Sequence, residues 1–231
     1  MTKPPQPDSS LQVWRIRRPD DVGSLDHLLP ADEQEQGRLQ KRASPELYVA
    51  ARAFVRSRLG AVLDVAPRDV PIGRSCGECG STAHGKPRLI GTTSPLPDFS
   101  ISYGGEVALV ALTARGHVGV DVEPITSSPE VSRWCFDEGE REQLAALDAA
   151  SRLQAITSAW VRKEAIAKAC GRGLSLPLRS VATTGAPSRW RLPSRAWRIR
   201  DVPMPDGLAG AVAYDDTAAS PEVASWVPGR R

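Results

Sequence analysis

Between Ser158 and Leu176 the chain reads SAWVRKEAIAKACGRGLSL. Trp160, Glu164 and Lys168 recur at four-residue steps, so a helix here sets all three on one face. Carried backwards, that stripe meets Ile156 and Leu153, which places Glu164 on the apolar side of its helix. A carboxylate in such a place is costly unless something partners it.

Forty residues upstream, in HVGVDVEPI, Val118, Val120 and Val122 alternate with Gly119, Asp121 and Glu123, the period of a half-buried strand. Asp121 and Glu123 then share a face. If that face meets Glu164, three carboxylates converge, and like charges so close require a proton or a bridging cation. Hard oxygen ligands favour magnesium, which keeps waters and substrate phosphates in its remaining positions, so the substrate should carry a phosphate or pyrophosphate.

With these two motifs the chain resembles the 4'-phosphopantetheinyl transferases of the surfactin-synthetase-activating type. The family pattern G-[IV]-D-[IV]-E reads here Gly119-Val120-Asp121-Val122-Glu123, and [WF]-x-x-K-E-[AS]-x-x-K reads Trp160 to Lys168. Weaker features follow in order: Gly85-Lys86-Pro87, the strand Phe99 to Ser102, Phe136 with Glu140, and Gly171-x-Gly173-Leu174. The resemblance spans residues 28 to 214.

It implies transfer of the phosphopantetheine arm of coenzyme A to a serine of an apo acyl or peptidyl carrier protein, with release of 3',5'-ADP. Asp121, Glu123 and Glu164 would hold Mg2+, with Glu164, or a metal-bound water near it, the base that takes the serine proton and Lys168 the cation on the leaving phosphate. Coenzyme A would be met by Gly85, Lys86 and Pro87, by Ser102, Tyr103 and Gly104, and by Asp121 and Lys168. The family adds basic contacts to the 3'-phosphate from the N-terminal helical region, where Arg38, Arg42, Arg52 and Arg56 stand, and Arg52 is assigned to coenzyme A. Tyr103 departs from the family, which has histidine there; a tyrosine keeps a hydrogen bond but loses a positive charge. The resemblance further implies a monomer serving polyketide or nonribosomal peptide synthesis.

The predicted fold class is α+β, as two pseudo-repeated α/β halves, and the resemblance implies that they are related by a pseudo-twofold with the active site in the cleft between them. The spacing predicts a strand over Leu11–Arg17, helices within Pro30–Leu63, a turn-rich stretch from Pro67 to Pro97, and a hairpin of strands around Phe99–Ile101 and Val107–Leu112. A strand at 118–123, helices at 138–148 and 151–170, and strands at 189–192, 196–202 and 208–214 repeat that plan. Ala51-Arg-Ala-Phe-Val-Arg56 is echoed by Ser158-Ala-Trp-Val-Arg-Lys163, and Val107–Leu112 by Ala209–Tyr214. The resulting division is a flexible N-terminus at 1–10, halves at 11–115 and 116–214, and a loosely attached tail at 215–231 that carries Trp226. Asp137 and Glu140 have the spacing of a capping box, with a carrier contact open to Glu140, and Trp160 reads as core.

At 231 residues and 41% hydrophobic content the chain can bury a substantial core, while its longest apolar runs are too short to cross a membrane. Residues 1–10 show no apolar signal region, so the expectation is a cytoplasmic protein. A net charge of +3 with dispersed basic residues gives no nucleic-acid signature, and no G-x-x-x-x-G-K-[ST] loop supports a kinase or NTPase. Cys76-Gly-Glu-Cys79 followed by His84 offers three zinc ligands without a local fourth, so the expectation there is a glycine-rich connector with reduced thiols. Cys135 and Cys170 read as packing residues. The alternatives from another class are a non-catalytic coenzyme A-binding relative and a zinc-stabilised binding module.

Overall fold

The computed structural model describes residues 11–20, 22–23, 25–39, 43–76, 78–91, 96–125, 134–181, 183, 189–192, 195–215 and 221–226. The expected flexible residues 1–10 and Arg42 lie outside them.

Helix α1 (Ala31–Leu39) leads into α2 (Pro45–Leu63), which starts where the sequence predicts: the Leu47 N–H donates to the Ser44 hydroxyl at 3.2 Å, and Pro45 takes a position that needs no N–H. Strand β1 (Gln12–Arg17) sits inside a four-stranded sheet with β4 (Asp98–Gly104), β5 (Val107–Thr113) and β10 (Glu222–Trp226), in the order β10-β1-β5-β4. The second sheet holds β6 (Val118–Pro124), β7 (Arg189–Leu192), β8 (Arg195–Asp201) and β9 (Leu208–Asp215), in the order β6-β9-β8-β7. Between α2 and β4 the turn-rich stretch contains a two-stranded hairpin, β2 (Ile72–Ser75) with β3 (Lys86–Leu89).

The expected tail is corrected here. Residues 222–226 form β10, which pairs in parallel with β1, Val13 opposite Val223 and Ile16 opposite Trp226. Trp226 packs on Phe54, with ring centroids 5.0 Å apart, and Phe54 in turn packs on Trp14 at 5.2 Å. This strand belongs to the first sheet. Aromatic burial fixes a segment whose sequence has too little periodicity to announce a strand.

Three apolar clusters stack in layers. The inner face of α2, through Leu47, Ala51, Phe54 and Val55, packs on Ile16, Phe99, Ala108 and Val110 of the first sheet. The opposite side of that sheet, with Val13, Leu109 and Ala111, meets Val118, Val120, Val122 and Val212 of the second. Helices α3 (Glu138–Ala145) and α4 (Ala149–Ala169) cover the far face of the second sheet. Strand β6 is therefore buried on both sides from Val118 to Val122, where a half-buried strand was expected.

The alternation nonetheless has structural meaning: the valines face the other sheet and Gly119, Asp121 and Glu123 face α4. At Gly119 a β-carbon would come within 2.9 Å of Ala169 Cα and closer still to the Ala165 carbonyl and the Ala169 N–H, so helix and strand meet backbone to backbone.

Helix α1 is held to α2 by a buried ion cluster. Glu33, 4% exposed, accepts from Arg56 at 2.8 and 3.1 Å and from Arg52. Burial by itself would raise the Glu33 pKa, but the hydrogen bonds and charges of Arg56 and Arg52 outweigh it and hold the acid below its ordinary 4.5.

Two outcomes follow from this packing. An acid held below its ordinary value stabilises the fold above that value and loses this as the pH falls through the lower one, so stability declines on acidification below about pH 4.5. Glu33→Gln should flatten that decline and, by leaving two arginines buried without their carboxylate, lower stability by about 3 kcal/mol in urea unfolding at neutral pH. Gly119→Ala should cost about 2–3 kcal/mol by the same measurement, because backbone, not a flexible side chain, must give way.

Candidate active site

The inner edges of the two sheets meet along a seam of side chains. Strands β4 and β6 are each an edge, and an edge strand leaves backbone donors that need partners. Polar residues at alternate positions of β4 supply them: the Val118 N–H donates to Asp98 at 2.9 Å and the Val120 N–H to the Ser100 hydroxyl at 3.1 Å. One step further, Ser102 donates its hydroxyl to Asp121 at 2.7 Å. The sequence signal for this seam is the alternation Asp98-x-Ser100-x-Ser102, which strand propensity alone passes over.

Helix α4 is set against that seam by groups on three sides. Asp148 caps it by accepting from Ala150 and Ser151, both at 3.1 Å. Lys163, fully buried, donates to Glu140 at 2.8 Å, to the Leu178 carbonyl at 2.9 Å and to the Val181 carbonyl. Glu140 also closes the capping box with Asp137 and accepts from the Thr183 N–H at 3.0 Å. The capping box is as the spacing predicts, but a carrier contact from Glu140 is not available to a side chain so buried.

With Lys163 turned inward, the next residue, Glu164, is turned about 100° around the helix and faces a groove. That groove, about 760 Å3, is lined by Ser102, Tyr103, Gly104, Asp121, Glu123, Trp134, Trp160, Glu164 and Lys168. Here the predicted stripe needs correcting. Trp160, Glu164 and Lys168 share a face, but it is a half-buried groove wall, and the core face of α4 is carried by Val161, Ala165, Ile166 and Ala169. Trp160 packs edge-on against Trp134, centroids 5.5 Å apart, on the groove wall, and its partly buried side chain also packs against the core around α4, as expected; Trp134, which the sequence did not single out, completes that wall.

Lys168 Nζ donates to Asp121 Oδ1 at 2.6 Å and to the Ser102 hydroxyl at 2.9 Å. The second Asp121 oxygen, Oδ2, is buried with no hydrogen-bond partner among the described residues. A buried carboxylate oxygen without a donor fits a hard cation. Among the described residues, the three acids are not gathered so tightly that their oxygens all lie within 4.8 Å of one another. One magnesium ion, with each ligand oxygen about 2.1 Å away, would draw the three acids closer together than they stand here.

The remaining predicted residues fall elsewhere. Gly85, Lys86 and Pro87 stand at the start of β3 and not on the groove lining. Lys86 is not a turn lysine: its ammonium is buried against Asp98 and donates to the Val118 carbonyl at 2.7 Å, at the far end of the seam. Burial works against the Asp98 carboxylate, but Lys86, His117 and the Val118 N–H outweigh it and hold its pKa below the ordinary value. Arg52 is engaged with Glu33, and Arg38 is exposed beside Glu35 at 3.1 Å. Tyr103 stacks on Tyr48, centroids 5.9 Å apart, with its hydroxyl buried and its pKa raised by that burial, so it stands as a neutral group. Cys135 and Cys170 pack in the core around α4, as expected.

Comparison with known proteins agrees with this geometry. The family model described as the 4'-phosphopantetheinyl transferase superfamily matches residues 117–198, which hold β6, α3 and α4. A Synechocystis sp. protein named as a candidate 4'-phosphopantetheinyl transferase is 26% identical over 97% of this chain and 93% of its own length. The 4'-phosphopantetheinyl transferase Sfp of Bacillus subtilis is 31% identical over 164 residues, 65% of this chain and 70% of Sfp. With both acidic motifs on one groove and this likeness along the chain, the protein belongs to the 4'-phosphopantetheinyl transferase superfamily.

Proposed function

We propose that this protein transfers the 4'-phosphopantetheine arm of coenzyme A to a serine hydroxyl of an apo acyl or peptidyl carrier protein, releasing 3',5'-ADP in a magnesium-dependent reaction. The observation that carries this reading is Asp121, a residue that lines one groove with Glu123 and Glu164 and is fixed through Oδ1 by Lys168 and Ser102, while its buried Oδ2 has no hydrogen-bond partner among the described residues.

Magnesium held by Asp121, Glu123 and Glu164 would neutralise charge on the pyrophosphate of coenzyme A. Glu164, on the wall opposite β6, is assigned as the base that accepts the proton of the attacking serine. The bond from serine oxygen to the β-phosphorus forms as the bond to the leaving phosphate breaks. Lys168, half-buried and held by a carboxylate and a hydroxyl, can exchange one of these for an oxygen of the leaving phosphate, whose charge it offsets. Trp134 and Trp160 present an aromatic wall to the groove.

Each half would consist of one four-stranded sheet and one long helix, α2 or α4, related by a pseudo-twofold with the groove where they join. Ser102 and Gly104 from the first half and Asp121, Glu164 and Lys168 from the second support that division. The working form in this reading is a cytoplasmic monomer serving polyketide or nonribosomal peptide carriers; no helix among the described residues is long and apolar enough to cross a membrane.

Intact-mass spectrometry of an apo carrier incubated with the protein, coenzyme A and magnesium should show a covalent gain of about 340 Da. EDTA should abolish it, and Glu164→Gln should reduce the initial rate by at least about 100-fold with the fold retained. A mass gain that persists in EDTA would remove the metal from the reaction. Lys168→Ala should lower kcat about 100-fold while the KM for coenzyme A changes by less than about threefold, the pattern of a group that acts in the transition state.

A further inference from the structure

The β2–β3 hairpin is closed by residues 76–85, a stretch without a buried side chain among its described residues. Lacking a core, such a loop holds one conformation only if something else ties it. Its backbone nonetheless folds back on itself: the Gly80 N–H donates to the Cys76 carbonyl and the Cys76 N–H to the Ser81 carbonyl, both at 2.9 Å. This turn brings two thiols and an imidazole together. Cys79 Sγ lies 3.4 Å from His84 Nε2, and the ligand atoms of Cys76, Cys79 and His84 all lie within 4.8 Å of one another.

The spacing C-x2-C-x4-H suits a soft, tetrahedral metal, and two sulfurs with one nitrogen select zinc over the hard cations that suit the acidic groove. Glu78, between the cysteines, is held by Arg172 at 3.1 Å, so the loop is docked on the segment that follows α4. Directly after His84 and Gly85 comes Lys86, whose ammonium reaches Asp98 and the Val118 carbonyl on the seam. A metal in the loop would thus fix the start of β3, and with it a buried cation between the two sheets.

We propose that Cys76, Cys79 and His84 bind one zinc ion, through two thiolates and the imidazole nitrogen, with a solvent water as fourth ligand because Cys79 and His84 are exposed. The two thiol protons are released on binding. This site is separate from the magnesium groove and does not depend on the transferase reading. It differs from the expectation of a plain glycine-rich connector.

The test uses the full chain, stripped with a chelator under reducing conditions and titrated with zinc chloride against a chromophoric competitor. One equivalent should bind, cobalt should give the intense visible bands of a tetrahedral thiolate site, and zinc should raise Tm by about 4 °C or more. Cys79→Ser should weaken zinc binding at least about tenfold and abolish the cobalt bands, while Cys170→Ser and Asp121→Asn bind as the parent does. Equal zinc uptake by Cys79→Ser, loss of uptake in Asp121→Asn, or less than about a tenth of an equivalent bound by the reduced parent would each overturn the proposal.

Discussion

Helix α4 rests on strand β6 at Gly119 with no side chain between them, and the groove takes its dimensions from that approach. Ala165 and Ala169, the helix residues above it, are small for the same reason. One residue pair along the strand, Asp121 comes within reach of Lys168, and one turn back along the helix Glu164 faces the same space. A bulkier residue at position 119 would move every one of these groups together. The glycine of the Gly-Val-Asp-Val-Glu run is therefore a spacing device for the carboxylates that follow it.

The seam between β4 and β6 supplies the other fixed dimension. Two sheet edges that paired through their backbones would leave no room for side-chain chemistry between them. Here serine and aspartate side chains of β4 satisfy the donors of β6, so the strands are close yet distinct. The last step of this ladder, Ser102 with Asp121, is where structure passes into function, because the same carboxylate also holds Lys168. Lys86 at one end and Lys168 at the other show two uses of an ammonium: the first is buried against Asp98, the second is left half-exposed where an exchange of partners is feasible.

Much of this was legible in the residues. Alternation at 118–123 and the four-residue stripe at 160, 164 and 168 placed the acids on two elements that do face one another, and the mixed α+β class and most strands and helices followed from periodicity and capping residues. What the sequence withheld was determined at longer range. Whether a stripe of tryptophan, glutamate and lysine faces a core or a groove depends on what lies opposite, and that is Trp134 and β6, not the helix itself. Lys163 and Glu164 are adjacent and both charged, yet one is buried against Glu140 and the other faces solvent-accessible space; only the position of α3 decides this. Arg52 and Lys86, which the resemblance assigns to coenzyme A, are engaged inside the protein by Glu33 and Asp98, partners that the sequence does not announce.

Strand β10 couples the end of the described chain to its beginning. Its partner β1 lies about two hundred residues earlier, and the pairing is parallel, so no hairpin can form it locally. During synthesis the first sheet would leave the ribosome with β1 unpaired along one edge and with Phe54 lacking the Trp226 ring that covers it. Closure of this remote contact thus waits on the last strand among the described residues, and a nascent chain must keep an adhesive edge exposed until that strand is made.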